Sequence, residues 1–98
     1  MESFAQLIQS QQPVLVDFFA TWCGPCKAME PVIKDVAKSV EDKVRVVKVD
    51  IDKQRQIASQ YNVSAVPTFM IFKNGNVVWR HPGMIDKSSL LNILNQAV

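Results

Sequence analysis

Cysteine occurs only twice in this 98-residue sequence, histidine once and glycine three times. Each scarcity excludes something. Two cysteines are too few for the disulfide framework of a small secreted scaffold. A structural zinc site takes four ligands, and only His81 stands beside Cys23 and Cys26 as a candidate, so no metal is expected. Charge of neither sign dominates. The 11 Lys and Arg against 9 Asp and Glu leave a formal +2, with no basic cluster to track phosphates or an anionic bilayer, so neither nucleic acid nor membrane is an expected partner. Nowhere do about 18 apolar residues run together. The opening MESFAQLIQSQQP has neither a basic start nor an apolar run of secretory length, which makes the cytoplasm the expected location. Repeats, linkers and low-complexity tracts are also missing. What is present is a 48% apolar fraction, enough for one packed core, and one domain over residues 1–98 is expected.

The apolar pattern sets the order of elements. Ser3 is placed to cap a short helix with Phe4, Leu7 and Ile8 on one face, and Pro13 stops it before the buried strand Val14 to Phe19. Met29, Val32, Ile33, Val36, Ala37 and Val40 follow the spacing of an amphipathic helix that starts at the cysteines, with Pro31 expected to kink it. Val44 to Ile51 is rich in β-branched residues and reads as the next strand; Asp52 is the expected cap of a following helix carrying Ile57, Ala58 and Tyr61. Asn74-Gly75 between Thr68–Lys73 and Asn76–Trp79 predicts a tight hairpin, because both residues tolerate positive φ. Asp86 or Ser88 opens a last helix with Leu90, Leu91, Leu94, Ala97 and Val98 as its stripe. The predicted order is α, β, α, β, α, β, β, α: parallel strands joined by helices, then an antiparallel hairpin.

Two features stand out against this background. A carboxylate, Asp17, interrupts the apolar strand VDFFA, and a few residues later Cys23 and Cys26 stand at C-x-x-C spacing where the strand gives way to a helix. Residues three apart on a helix share a face, near enough for their sulfurs to bond. The first helical turn exposes N–H groups and the positive end of the dipole, which lowers the thiol pKa of Cys23 and suits it to attack. Cys26, deeper against the helix, suits the return attack on Cys23. Gly24 lets another backbone come close, and Pro25 stiffens the first turn without removing a needed hydrogen bond. An inert buried thiol pair is the plain competing reading.

WCGPCK (Trp22 to Lys27), Pro31, Asp17, VPT (Val66 to Thr68), FKNG (Phe72 to Gly75) and Gly83 together resemble the thioredoxin family, in register from Val14 to the C-terminus. The resemblance implies the thioredoxin fold, a protein-disulfide reductase that carries electrons, no bound cofactor, and two kinds of partner: client proteins with disulfides and a reductase that restores the dithiol. It implies Cys23 as nucleophile, Cys26 as resolving cysteine, and Asp17 as the acid that moves protons to and from Cys26, with Lys48 beside it. It implies Pro67 as a cis proline facing the sulfurs and Val66 as the backbone edge offered to a client. Trp22 and Gly83 would belong to the apolar surface around an exposed sulfur. Burial would raise the pKa of Asp17 towards neutrality, and an attached Lys48 would oppose the shift. Competing readings are a structural acid at a strand end for Asp17, a trans proline opening a strand for Pro67 and a core aromatic for Trp22; Lys27 and Tyr61 are assigned no chemistry.

The sequence departs from the family in two places. Only 16 residues precede Asp17 and they hold no strand, so the expected architecture is a mixed four-stranded sheet with four helices, lacking the usual first strand. That leaves Val44–Ile51 as an open edge through which a monomer could pair into a dimer, opposed by Lys43, Arg45 and Lys48. His81-Pro82 stands where an apolar residue usually precedes the glycine; His81 reads as a surface residue or a pH-sensitive contact, Pro82 as a lost donor, and Trp79 as packed on or beside the edge strand. Rival functions on the same residues are an oxidase or isomerase, less expected from Gly-Pro between the cysteines, and a binding module without chemistry.

Overall fold

The computed structural model describes residues 2–98. Eight elements follow the predicted order: α1 (Phe4–Leu7), β1 (Val14–Phe19), α2 (Gly24–Ser39), β2 (Arg45–Asp50), α3 (Arg55–Gln60), β3 (Thr68–Lys73), β4 (Asn76–Pro82) and α4 (Lys87–Ala97). They build one four-stranded sheet in the order β2-β1-β3-β4. β1 runs parallel to β2, while β1/β3 and β3/β4 are antiparallel. Among the described residues β2 is a sheet edge, as expected.

Alternation along the strands decides which helices cover which face. Leu15, Phe69 and Ile71 point to one side, where Met29, Ile33 and Val36 of α2 and Leu90 and Leu94 of α4 bury them. Val14, Val16, Phe18, Met70 and Phe72 point to the other, where they meet Ile8, Phe4 and Leu7 from the α1 region, Ile57 of α3 and its C-cap Tyr61. On that second face Phe4, Tyr61 and Phe72 pack edge to face, with centroids 5.1 to 6.0 Å apart.

Local signals worked where the partners are close in sequence. Ser3 forms a full capping box with Gln6. Asp86 caps α4, accepting from Ser89 Oγ at 2.7 Å and from Ser89 N at 3.0 Å, and these bonds hold its carboxyl below the usual range. The hairpin turn takes positive φ at Asn74 (53°) and Gly75 (82°). The α2 helix continues through Pro31.

Two expectations need correction. Asp52 does not cap α3: the N-cap is Gln54, without a side-chain bond, and Asp52 is engaged elsewhere. β4 runs past Trp79 to Pro82, which pairs with Thr68; as an edge strand it loses no interior ladder bond to the proline. His81 keeps a partly exposed place near the end of β4, stacked on Trp79 at 5.7 Å with its Nε2 3.1 Å from Met84 O, which ties it to the loop after β4. Among the described residues no helix is long and apolar enough to cross a membrane.

Candidate active site

The chain leaves the sheet at Phe19, turns through residues 20–22, and enters α2 with Cys23 as its N-cap. That position is extended (φ −88°, ψ 112°), so the Cys23 side chain folds back over the first turn and its Sγ accepts a hydrogen bond from Cys26 N at 3.1 Å. This is the part usually taken by a serine or aspartate oxygen at a helix start. Pro25 sits in the first turn, where a missing N–H costs nothing. Cys23 and Cys26, with Cα atoms 5.2 Å apart, are joined by a disulfide.

The two sulfurs differ in surroundings more than in exposure. Cys23 is 4% exposed and Cys26 6%, so the expected exposed sulfur is absent from the disulfide form. The reason is local packing: Ala20, Phe19, Ile51 and Val66 close around the pair. Cys23 Sγ faces the backbone, 3.6 Å from Val66 O. The Val66-Pro67 bond is cis, Pro67 is buried, and Gly83 N donates to Pro67 O at 2.8 Å, bringing the segment after β4 against the same edge. Gly83 has a φ of +94°, a backbone conformation that glycine adopts without strain. Gly24 is exposed, and a Cβ there would meet nothing within 4 Å, leaving room beside the disulfide.

Asp17 lies beneath. Because Val16 and Phe18 belong to the α1/α3 face, the Asp17 side chain between them points to the α2 side. It is 4% exposed, and among the described residues its Oδ1 is buried without a hydrogen-bond partner. Burial pushes its pKa up to about 6; Lys48 pulls the other way and Glu30 adds to the rise. Lys48 is the register partner of Asp17 across β1 and β2, but it is not attached to it: its Nζ stands over the Phe19 ring, 4.4 Å from the centroid. Lys48 therefore acts on Asp17 through its field alone.

Trp22 is 67% exposed beside the disulfide, which overturns a core role, and its Nε1 donates to Asp52 Oδ2 at 2.8 Å. Asp52 is thus a site residue that sequence reasoning put at the wrong task. Its neighbour Asp50 takes over the local turn, accepting from Asp52 N and Lys53 N. No local pattern announces a bond between residues 30 apart in sequence. Glu30 was also missed, although its place four residues after Cys26 puts it on the same side of α2. Tyr61 belongs to the aromatic cluster, away from the sulfurs. Lys27 is exposed.

A family model described as Thioredoxin matches residues 1–96. The chain belongs to the thioredoxin family. A chloroplastic thioredoxin Y of rice (Oryza sativa subsp. japonica) is 44% identical over 97 residues, covering 98% of this chain and 58% of its own length. The thioredoxin of Rickettsia felis is 42% identical over 93 residues, covering 95% of this chain and 89% of its own length. Among solved structures, that of Malassezia sympodialis thioredoxin superposes with a TM-score of 0.88 at 41% identity, over 96% of this chain and 84% of the other. With the thioredoxin fold and a cysteine pair closed as a disulfide, the chain is a thiol-disulfide oxidoreductase, a protein-disulfide reductase.

Proposed function

We propose that residues 1–98 form one thioredoxin domain that works in the cytoplasm as a monomeric electron carrier, taking electrons from a reductase and delivering them to disulfides of client proteins. In the dithiol form the Cys23 thiolate attacks one sulfur of the client disulfide; a mixed disulfide forms and the other client sulfur leaves as a thiolate. Cys26, giving its proton to Asp17, then attacks Cys23 Sγ. The client's second sulfur departs, and the internal disulfide carries away the two-electron oxidation. Two protons finish on the client thiols.

One observation carries this reading above the others: Cys23 Sγ accepts the Cys26 N–H at the start of α2. The same donor and the helix dipole favour a negative charge there once the disulfide is reduced. The backbone of Val66, 3.6 Å away, supplies an edge along which an extended client segment can align, with Pro67, Gly83 and exposed Trp22 around it. Asp17, ionised above about pH 6, has the affinity for a proton that a base at neutral pH needs. Lys48 tunes it, and Gly24 and Pro25 shape the approach.

Insulin serves as a defined client. Cys26→Ser is expected to accumulate a mixed disulfide with it through Cys23, visible on a non-reducing gel and cleared by dithiothreitol, while Cys23→Ser forms none. No adduct with Cys26→Ser, or an equal adduct with Cys23→Ser, would reverse the assigned roles. Sedimentation at high concentration tests the monomer; a concentration-dependent dimer would point instead to pairing through the β2 edge.

A further inference from the structure

The segment between α3 and β3 holds Val66 and Pro67, and most of it carries no regular structure of its own. Its first residues close α3. Asn62 takes a left-handed φ of 54°, and Val63 N donates to Ala58 O at 2.9 Å, the pattern of a helix stop with a reversed residue after it. That closure satisfies Ala58 O but leaves two carbonyls, Tyr61 O and Asn62 O, pointing off the negative end of the helix. Both are taken by one side chain from a strand remote in sequence. Arg80 Nη1 donates to Tyr61 O, and Arg80 Nη2 donates to Asn62 O at 2.6 Å. Its backbone is fixed in β4, opposite Met70.

The segment is otherwise held by few bonds. Thr68 Oγ1 donates to Ala65 O at 2.6 Å within it, and Gly83 N donates to Pro67 O from outside. The second of these also comes from the chain that continues β4. Thus β4 grips the client-facing segment at both ends: Arg80 where it leaves α3 and Gly83 where it enters β3. Arg80 is the only one of these grips made by a charged fork, and charge-assisted bonds of that kind are the strongest of the set.

We infer that Arg80 is a positioning residue for client recognition: by bridging Tyr61 O and Asn62 O it holds the 62–67 segment so that the Val66 edge meets an incoming polypeptide. The inference rests on the reading of Val66 and Pro67 as the client edge given above. Arg80 touches neither sulfur, so it governs how well a polypeptide docks and leaves the intrinsic exchange chemistry alone.

The test compares Arg80→Gln and Arg80→Lys with the unaltered chain, using insulin as the polypeptide disulfide and 5,5′-dithiobis(2-nitrobenzoate) as a small disulfide with no backbone to dock. For Arg80→Gln the expected result is a KM for insulin raised about three- to tenfold with kcat little changed. The rate with the small disulfide and the equilibrium with glutathione should stay within about twofold. Arg80→Lys, which reaches one carbonyl with a single ammonium, should fall between and partly rescue KM. A merely structural arginine would lower the melting temperature of both variants and leave the ratio of insulin KM to small-disulfide rate unmoved; that result overturns the inference. Pro67→Ala separates the two levels of the argument. If it raises insulin KM while Arg80→Gln does not, only the role of Arg80 falls; if neither moves KM, the client edge itself is wrong.

Discussion

The two faces of β1 are made from the same six residues, yet they do opposite work. Towards α1 and α3 it presents Val14, Val16 and Phe18, each fully buried in a layer of hydrocarbon. Towards α2 it presents Leu15 and then Asp17, a carboxyl group 4% exposed with one oxygen unpartnered. One face maximises burial. The other gives some of it up to keep a titratable group buried on the α2 side of the sheet. Proton chemistry at neutral pH needs a carboxyl whose affinity for protons is raised, and burial without a partner raises it at the expense of stability.

The largest expected effect is on the sealed face. Phe18→Ala should lower unfolding free energy by about 3–5 kcal/mol, read from denaturant midpoints at constant m. A loss near 1 kcal/mol would mean that this face is less tightly packed than its contacts imply. Asp17→Ala should do the reverse. The folded-state pKa is about 6 against an ordinary 3.8, so the folded form holds the proton more tightly than the unfolded chain. The favourable contribution of the protonated acid is complete below about pH 4 and is lost as pH rises through about 6, leaving a penalty on the order of 3 kcal/mol at pH 7 and above. Asp17→Ala is therefore expected to be more stable than the parent by about 2 kcal/mol at pH 8, with the gap closing on acidification. In the parent, client release is expected to rise with pH through about 6 as Asp17 ionises, and the same change should flatten that rise. A variant less stable at pH 8 would break the contrast between the faces.

Two smaller changes sharpen it. Lys48 lowers and Glu30 raises the proton affinity of Asp17, so Lys48→Met should move the Asp17 midpoint up and Glu30→Gln should move it down. Both shifts should be below about one pH unit, because neither charge is in contact with the carboxyl. Carboxyl-carbon NMR titration reads them directly, and shifts of the same sign in both variants would show that rearrangement, not charge, controls the group.

How much of this was legible from sequence follows the range of the interactions. The eight elements were readable because each rests on its own periodicity or turn residues, helped by local signals such as Ser3 before α1, Asn74-Gly75 in the hairpin and Asp86 before α4. The cysteine pair was readable because three residues of spacing fix its geometry on a helix. Asp17 was visible as an acid in an apolar run, and its shifted proton affinity followed from burial. The misreadings share a cause. Asp52 looked like a local cap, but Trp22 reaches it from 30 residues away; Lys48 was legible as the lysine beside Asp17, though not that the Phe19 ring takes its ammonium. Trp79 looked like the end of a strand, yet the pairing runs on to Pro82, which a sheet edge tolerates. Arg80 gave no signal, since its partners are backbone carbonyls that any sequence supplies.

The hairpin tip offers a practical lesson for anyone who wishes to decorate this molecule. Asn74 N and Gly75 N are bonded to Ser10 O and Ile8 O, and a Cβ on Gly75 would run into the Gln9 side chain. Although it resembles a free end, the tip is a latch on the lead-in to β1, and a dye or affinity handle inserted there would pry the first helix loose. Residues 41–43, exposed and bridging α2 to β2 at the end of α2 opposite its cysteines, are the better attachment point.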